Sequence, residues 1–112
     1  MGLTHIVLFQ FKEEASSQAI SELSQRFLAL ENECIHPTSK KTYIKSVSGG
    51  TDNSPEGAQN GSTHAFVVEF ENEADRDYYV GEDPVHDEFK QLAGKILEKA
   101  HVVDFTHGVF TT

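Results

Sequence analysis

The sequence predicts an α+β fold, a four-stranded antiparallel sheet with helices packed on one face, in the order βαββααβ. Three observations carry this. Two hydrophobic runs, "THIVLFQF" from Thr4 and "THAFVVEF" from Thr63, alternate with the period of a strand. A stretch between them, residues 16–34, switches to helical spacing. A second helical stretch, opened by the Asp83-Pro84 pair, precedes a last apolar run, "HVVDF".

Each element follows from its residues. In the first strand, 4–12, His5, Val7, Phe9 and Phe11 share one face and Ile6 and Leu8 the other, so both faces are expected to be covered. In helix 16–34, Ile20, Leu23, Phe27, Leu30 and Cys34 fall on one stripe, with Ser16 or Ser17 as N-cap and Pro37 beyond the end. "TYIKSVSGG" reads as a second strand. "GGTDNSPEGAQNGS", residues 49–62, reads as a long loop because it holds almost nothing to bury. The third strand, 63–71, puts His64, Phe66, Val68 and Phe70 on one face and Ala65 and Val67 on the other. A short helix in "NEADRDYYVGED" breaks near Gly81. The last helix is expected over 84–100, with Val85, Phe89, Leu92, Ile96 and Lys99 or Ala100 along its stripe. The open sheet face would carry Ile6, Leu8, Ala65 and Val67. A monomer would leave that patch in water, so two sheets facing each other in a dimer are expected.

Composition narrows the function classes. The 112 residues fit one domain, 1–112, and carry a net charge of −9. That acidity argues against nucleic acid and against an anionic membrane surface, and no apolar run reaches the length of a membrane span. The N-terminus reads as strand rather than signal peptide. The lone cysteine, Cys34, cannot form an internal disulfide, so a buried thiol in a cytoplasmic protein is expected. The six histidines are scattered, without a pair at metal-ligand spacing, so no metal is expected. No phosphate-binding glycine loop and no nucleophile elbow is present, and no cofactor is expected.

"THIVLFQFK", "STHAFVVEFENEADRDYYV", "EDPVHDEF" and "VVDF", taken in order, resemble the stress-responsive A/B barrel (Dabb) family, and the resemblance covers all but 49–62. It implies a ferredoxin-like fold that dimerises into an α+β barrel. It also implies a histidine pattern similar to olivetolic acid cyclase, a cofactor-free polyketide cyclase that closes a ring by aldol condensation. On that resemblance His86, in the first turn of the last helix, is the candidate general base, and His5 and His64 are pocket histidines expected to converge near it. Phe9, Phe27, Leu30, Phe66 and Phe89 would line a cavity for a small apolar or polyketide-like ligand. The cyclase tyrosine position falls on Val80 here, so Tyr79 or Tyr78 is the candidate to stabilise an enolate. His36 and His101 read as surface residues. The competing expectation is a non-catalytic stress-responsive binding or stability protein whose aromatic rings fill the core. A cofactor-free monooxygenase is a weaker third.

Overall fold

The computed structural model describes residues 2–111. Its elements are β1 (Leu3–Phe11), α1 (Ser17–Glu33), β2 (Ile44–Thr51), β3 (His64–Phe70), α2 (Glu73–Gly81), α3 (Pro84–Gly94) and β4 (Leu97–Phe105). The strands form one antiparallel sheet in the order β2-β3-β1-β4, and the chain has the expected α+β, ferredoxin-like order. The two Thr-His strands are neighbours: β1 runs against β3, with His5 opposite Val68 and Phe9 opposite His64.

The helix boundaries follow capping chemistry. Ser16 Oγ accepts from the Ala19 N–H and starts α1. Asn72 caps α2 through the Asp75 N–H. Asp83 caps α3, its Oδ1 accepting from the N–H groups of Val85 and His86, with Pro84 in the first turn where its missing donor costs nothing. Strand alternation then sorts the core. Leu3, His5, Val7, Phe9, Phe66, Val68 and Phe70 are buried beneath the helices, where Leu23, Phe27, Leu30, Tyr79 and Phe89 meet them. Ile6, Leu8 and Val67 lie half-exposed on the other face, joined by Val103 opposite Ile6 and Phe105 opposite Thr4.

Two boundaries differ from the sequence expectation. The last helix ends at Gly94, not at residue 100. The chain turns there through bonds from Lys95 N–H to Leu92 O and from Ile96 N–H to Ala93 O, and residues 97–100 pair with β1 instead. Helical spacing and β pairing compete for this segment, and the ladder to β1 wins because it satisfies the edge of the strand that anchors the core. Ile96 therefore sits in the turn, and Lys99 and Ala100 belong to β4. His101, expected at a helix end, is an exposed strand residue. The second strand, read over 42–50, is Ile44–Thr51, so Gly49 and Gly50, where the strand and loop readings overlapped, belong to the sheet opposite Phe66 and Ala65.

Gly49 explains its own identity. A Cβ there would stand 2.3 Å from the Phe66 ring and 2.8 Å from the Ala65 carbonyl oxygen. Phe66 cannot move aside, because it stacks on Phe27 with centroids 4.2 Å apart. Gly49→Ala is expected to destabilise the fold by roughly 1–3 kcal/mol, as overpacking does. Urea unfolding measures this, and an unchanged midpoint would contradict the packing described.

Candidate acid/base cavity

A cavity of about 720 Å³ opens between the helix-covered side of the sheet and the helices α2 and α3. Its size is that of pockets that hold small organic ligands. β1 and β4 form its floor, Tyr79 and His86 one wall, and Phe27 and Phe89 the deep end. It opens toward the β4 edge, where Val102 is 57% exposed although it points to the helix side.

His86 reaches this cavity because Asp83 starts α3 one turn earlier. Its Nδ1 lies 2.7 Å from the carbonyl oxygen of Tyr79, so Nδ1–H donates and Nε2 keeps its lone pair. Burial pushes its pKa down to about 4, with Lys90 and His5 adding to the effect and the Tyr79 carbonyl and Asp83 opposing it. The ring is therefore neutral through the physiological range. Tyr79 stacks on it, centroids 3.7 Å apart and planes within 12°.

His5 meets the Tyr79 ring edge-on, with centroids 5.8 Å apart. Its Nδ1 lies 2.7 Å from Asp104 Oδ1, and Asp104 Oδ2 accepts from Arg76 at 2.8 Å. Both imidazoles thus commit Nδ1 to an acceptor. Among the described residues, the sole side-chain polar atom that is sealed from water and without a partner is the Tyr79 hydroxyl. The Nε2 atoms of His5 and His86 make no hydrogen bond, and both residues line the cavity.

The other sequence candidates divide. Phe9, Phe27 and Phe89 line the cavity. Leu30 and Phe66 do not; they are buried behind it, Phe66 stacked on the far side of Phe27. His64 does not converge with His86. It pairs with Phe9, four residues along β1 from His5, which places it roughly 13 Å down the strand. There it packs against the edge of Phe11 and accepts or donates at Thr63 Oγ1, 2.9 Å away, with burial lowering its pKa. The antiparallel pairing is the reason: two histidines that each begin a strand end up at opposite ends of the pair. Tyr79 contributes its ring to the cavity, but its hydroxyl is enclosed, where burial pushes its pKa up. Tyr78 faces away and packs with His36 and Tyr43, so His36 is half-buried rather than a surface residue.

Asp104 and Arg76 were not foreseen. A signal existed in "VVDF": alternation puts Asp104 on the same face as Val102, so an acidic residue points to the covered side of an otherwise apolar strand end. Arg76, in a helix with several charges, carries no such mark. Among the described residues, no group of three or more His, Cys, Asp or Glu side chains is arranged to hold a metal ion. No helix there is long and apolar enough to cross a membrane.

The low pKa of His86 has a consequence for stability. An unfolded histidine titrates near 6.5, so between about pH 6.5 and 4 the unfolded chain binds a proton that the folded ring refuses. Stability is unaffected by this group above that window and falls as pH drops through it, by about 3 kcal/mol in all. The unfolding free energy of the wild type should therefore fall more steeply from pH 7 to pH 4 than that of His86→Gln. Parallel pH profiles in urea titrations would contradict the buried neutral ring.

Comparison with known proteins agrees with this fold. The family model described as Stress Responsive A/B Barrel Domain matches residues 3–107. The Arabidopsis thaliana protein At3g17210 is 31% identical, with 98% of this chain and 99% of that one aligned at a TM-score of 0.79. A hydroxynitrile lyase from Passiflora edulis is 25% identical, covering 98% and 97% at a TM-score of 0.82. A Dabb family protein with a ferredoxin-like fold from Mesorhizobium loti shares the fold at 18% identity, 94% and 95% coverage and a TM-score of 0.71. Other neighbours of this fold, from Thermobifida fusca and Jannaschia, are described as dimeric. Curated protein sequences gave no match. A matching family model that spans nearly the whole chain places this protein in the stress-responsive A/B barrel (Dabb) family.

Proposed function

We propose that this protein is a cofactor-independent acid/base enzyme, a homodimer that acts on a small, largely apolar carbonyl compound. One observation carries the reading: two imidazoles, each fixed through Nδ1 and free of a hydrogen bond at Nε2, line one largely apolar cavity. Such nitrogens can take and return a proton without a metal or cofactor. Apolar walls exclude water from the reacting atoms and strengthen each polar contact.

The chemistry that suits this pair is aldol-type. An imidazole Nε2 takes the proton from the carbon beside a carbonyl, leaving an enolate. The enolate carbon attacks a second carbonyl of the same molecule and forms the carbon–carbon bond. The new alkoxide then recovers the proton from the imidazolium, so no proton is gained or lost. A polyketide-like chain that closes to a ring fits this sequence of steps. The similarity to a hydroxynitrile lyase supports the reverse sense, in which deprotonating a hydroxyl releases a carbon–carbon bond. A non-catalytic stress-responsive role, the other expectation from sequence, would be served by aromatic rings closing the core. The cavity that His5 and His86 line beside the packed rings of Phe9, Phe27 and Phe89 favours catalysis over it.

The homodimer is supported by the apolar open face of the sheet, where Val103 is 61% and Phe105 43% exposed, and by the dimeric neighbours. Sedimentation should give about twice the chain mass of 12.4 kDa, and Val103→Lys should return it to the monomer. A monomeric wild type would refute the dimer.

For the chemistry, the enzyme should accelerate α-hydrogen exchange of acetophenone in D₂O, or the breakdown of mandelonitrile to benzaldehyde. Removing both imidazoles, His5→Gln with His86→Gln, should slow the responsive reaction by about 10²-fold or more. Neither probe responding, or a variant as fast as the wild type, would sink the reading.

A further inference from the structure

The proposed acid/base reading leaves two imidazoles with the same outward nitrogen and no division of labour. Their partners differ in kind. His86 gives its Nδ1–H to a neutral backbone carbonyl. His5 meets a carboxylate, Asp104, which is itself held by the Arg76 guanidinium. Resting on that reading, we propose that Arg76 and Asp104 are positioning residues that make His5 the ring which takes and returns the proton, while His86, stacked on Tyr79, forms the wall that orients the substrate.

The geometry supplies three reasons. First, when Nε2 of His5 takes a proton, the positive charge appears 2.7 Å from a carboxylate, and no comparable anion touches the His86 ring. Charge that develops beside a preplaced opposite charge needs no rearrangement of the site. Second, the contact fixes the tautomer, since Asp104 accepts and Nδ1 of His5 must donate; Nε2 then bears the lone pair. Third, Arg76 ties the carboxylate to α2. Its Nη1 binds Asp104 Oδ2 at 2.8 Å, while its Nε binds Asp77 at 2.7 Å. The chain of contacts joins α2, β4 and β1 along the open side of the cavity. Each Asp104 oxygen is engaged, so the aspartate cannot turn to the ligand itself.

The groups around His5 are few. β4 contributes Asp104, α2 contributes Arg76 and the Tyr79 ring, α3 contributes neutral His86, and β3 contributes Val68 and the edge of Phe70. Arg76 is already paired with Asp104 and Asp77, and Lys90 binds the Val80 carbonyl and stands 3.5 Å from Asp87. No cation is left facing the cavity unpaired among the described residues, so the substrate that suits it is neutral. The proton passes from its α-carbon or hydroxyl to Nε2 of His5; Nδ1–H continues to donate to Asp104. The electron pair stays on the substrate as enolate or alkoxide, and the same proton returns to the product oxygen or carbon.

The test combines ring ¹⁵N NMR of the ligand-free protein with the acetophenone and mandelonitrile assays, on wild type, Asp104→Asn and Arg76→Gln. An asparagine amide can donate to Nδ1, so Asp104→Asn should move the proton of His5 to Nε2, visible in the ¹⁵N shifts, and slow the responsive reaction by about 10²-fold or more. Arg76→Gln should preserve the tautomer and give a smaller loss; it also serves if Asp104→Asn does not fold. His5 signals unchanged in Asp104→Asn, or variants as fast as wild type on a probe the wild type does turn over, would overturn the relay while leaving the acid/base reading in place. A wild type inert to both probes would overturn the reading itself and the relay with it.

Discussion

The buried carboxylate of Asp83 ties this molecule together. One oxygen accepts the first free N–H groups of α3, and the other accepts the Tyr43 hydroxyl from the segment that leads into β2. Cys34, the last residue of the α1 stripe, lies alongside; burial first, and Asp83 next, push its thiol pKa up. The same two causes raise Tyr43. A carboxylate sealed in the core would be costly without these donors. With them, the ends of α1 and α2, the start of α3 and the lead-in to β2 meet at one point. His86 follows three residues later, so its place in the cavity depends on this knot.

The sheet divides the protein's work by face. Beneath the helices, odd-numbered residues of β1 build the core and, at its β4 side, the cavity. On the opposite face, even-numbered residues of β1 and the matching residues of β3 and β4 make an apolar surface without a helix to cover it. Period-two alternation enforces this separation, because a one-residue slip would exchange the faces. The cavity and this apolar surface can therefore vary independently on strands they share. Cys34, with its thiol held protonated in the core, belongs to neither; its part is packing.

Much of this was legible in one dimension. Alternation in "THIVLFQF" and "THAFVVEF" assigned the buried faces residue by residue, and the Ser16 and Asp83-Pro84 signals marked helix starts correctly. Both are local: a side chain's face and a cap depend on neighbours within a turn. His86 also stood out, because its spacing from Asp83 sets it in the first turn of α3. The end of that helix was not legible, since "GKILEKAH" satisfies helical spacing as well as strand pairing and only the unpaired edge of β1 decides between them. Gly49 and Gly50 read both as the end of a strand and as the start of a loop; the strand place of Gly49 leaves room for the Phe66 ring.

The sequence by itself determined the order of elements, the faces of the strands, the caps, the place of His5 on the covered face of β1 and that of His86 in the first turn of α3, because these rest on periodicity and short-range bonding. The tertiary structure alone decided which of those groups meet. Antiparallel pairing of β1 with β3 sends His64 away from His5, and pairing of β1 with β4 brings Asp104 to His5 across 99 residues of chain. Register between distant strands is set by the whole core at once, and no local pattern encodes it.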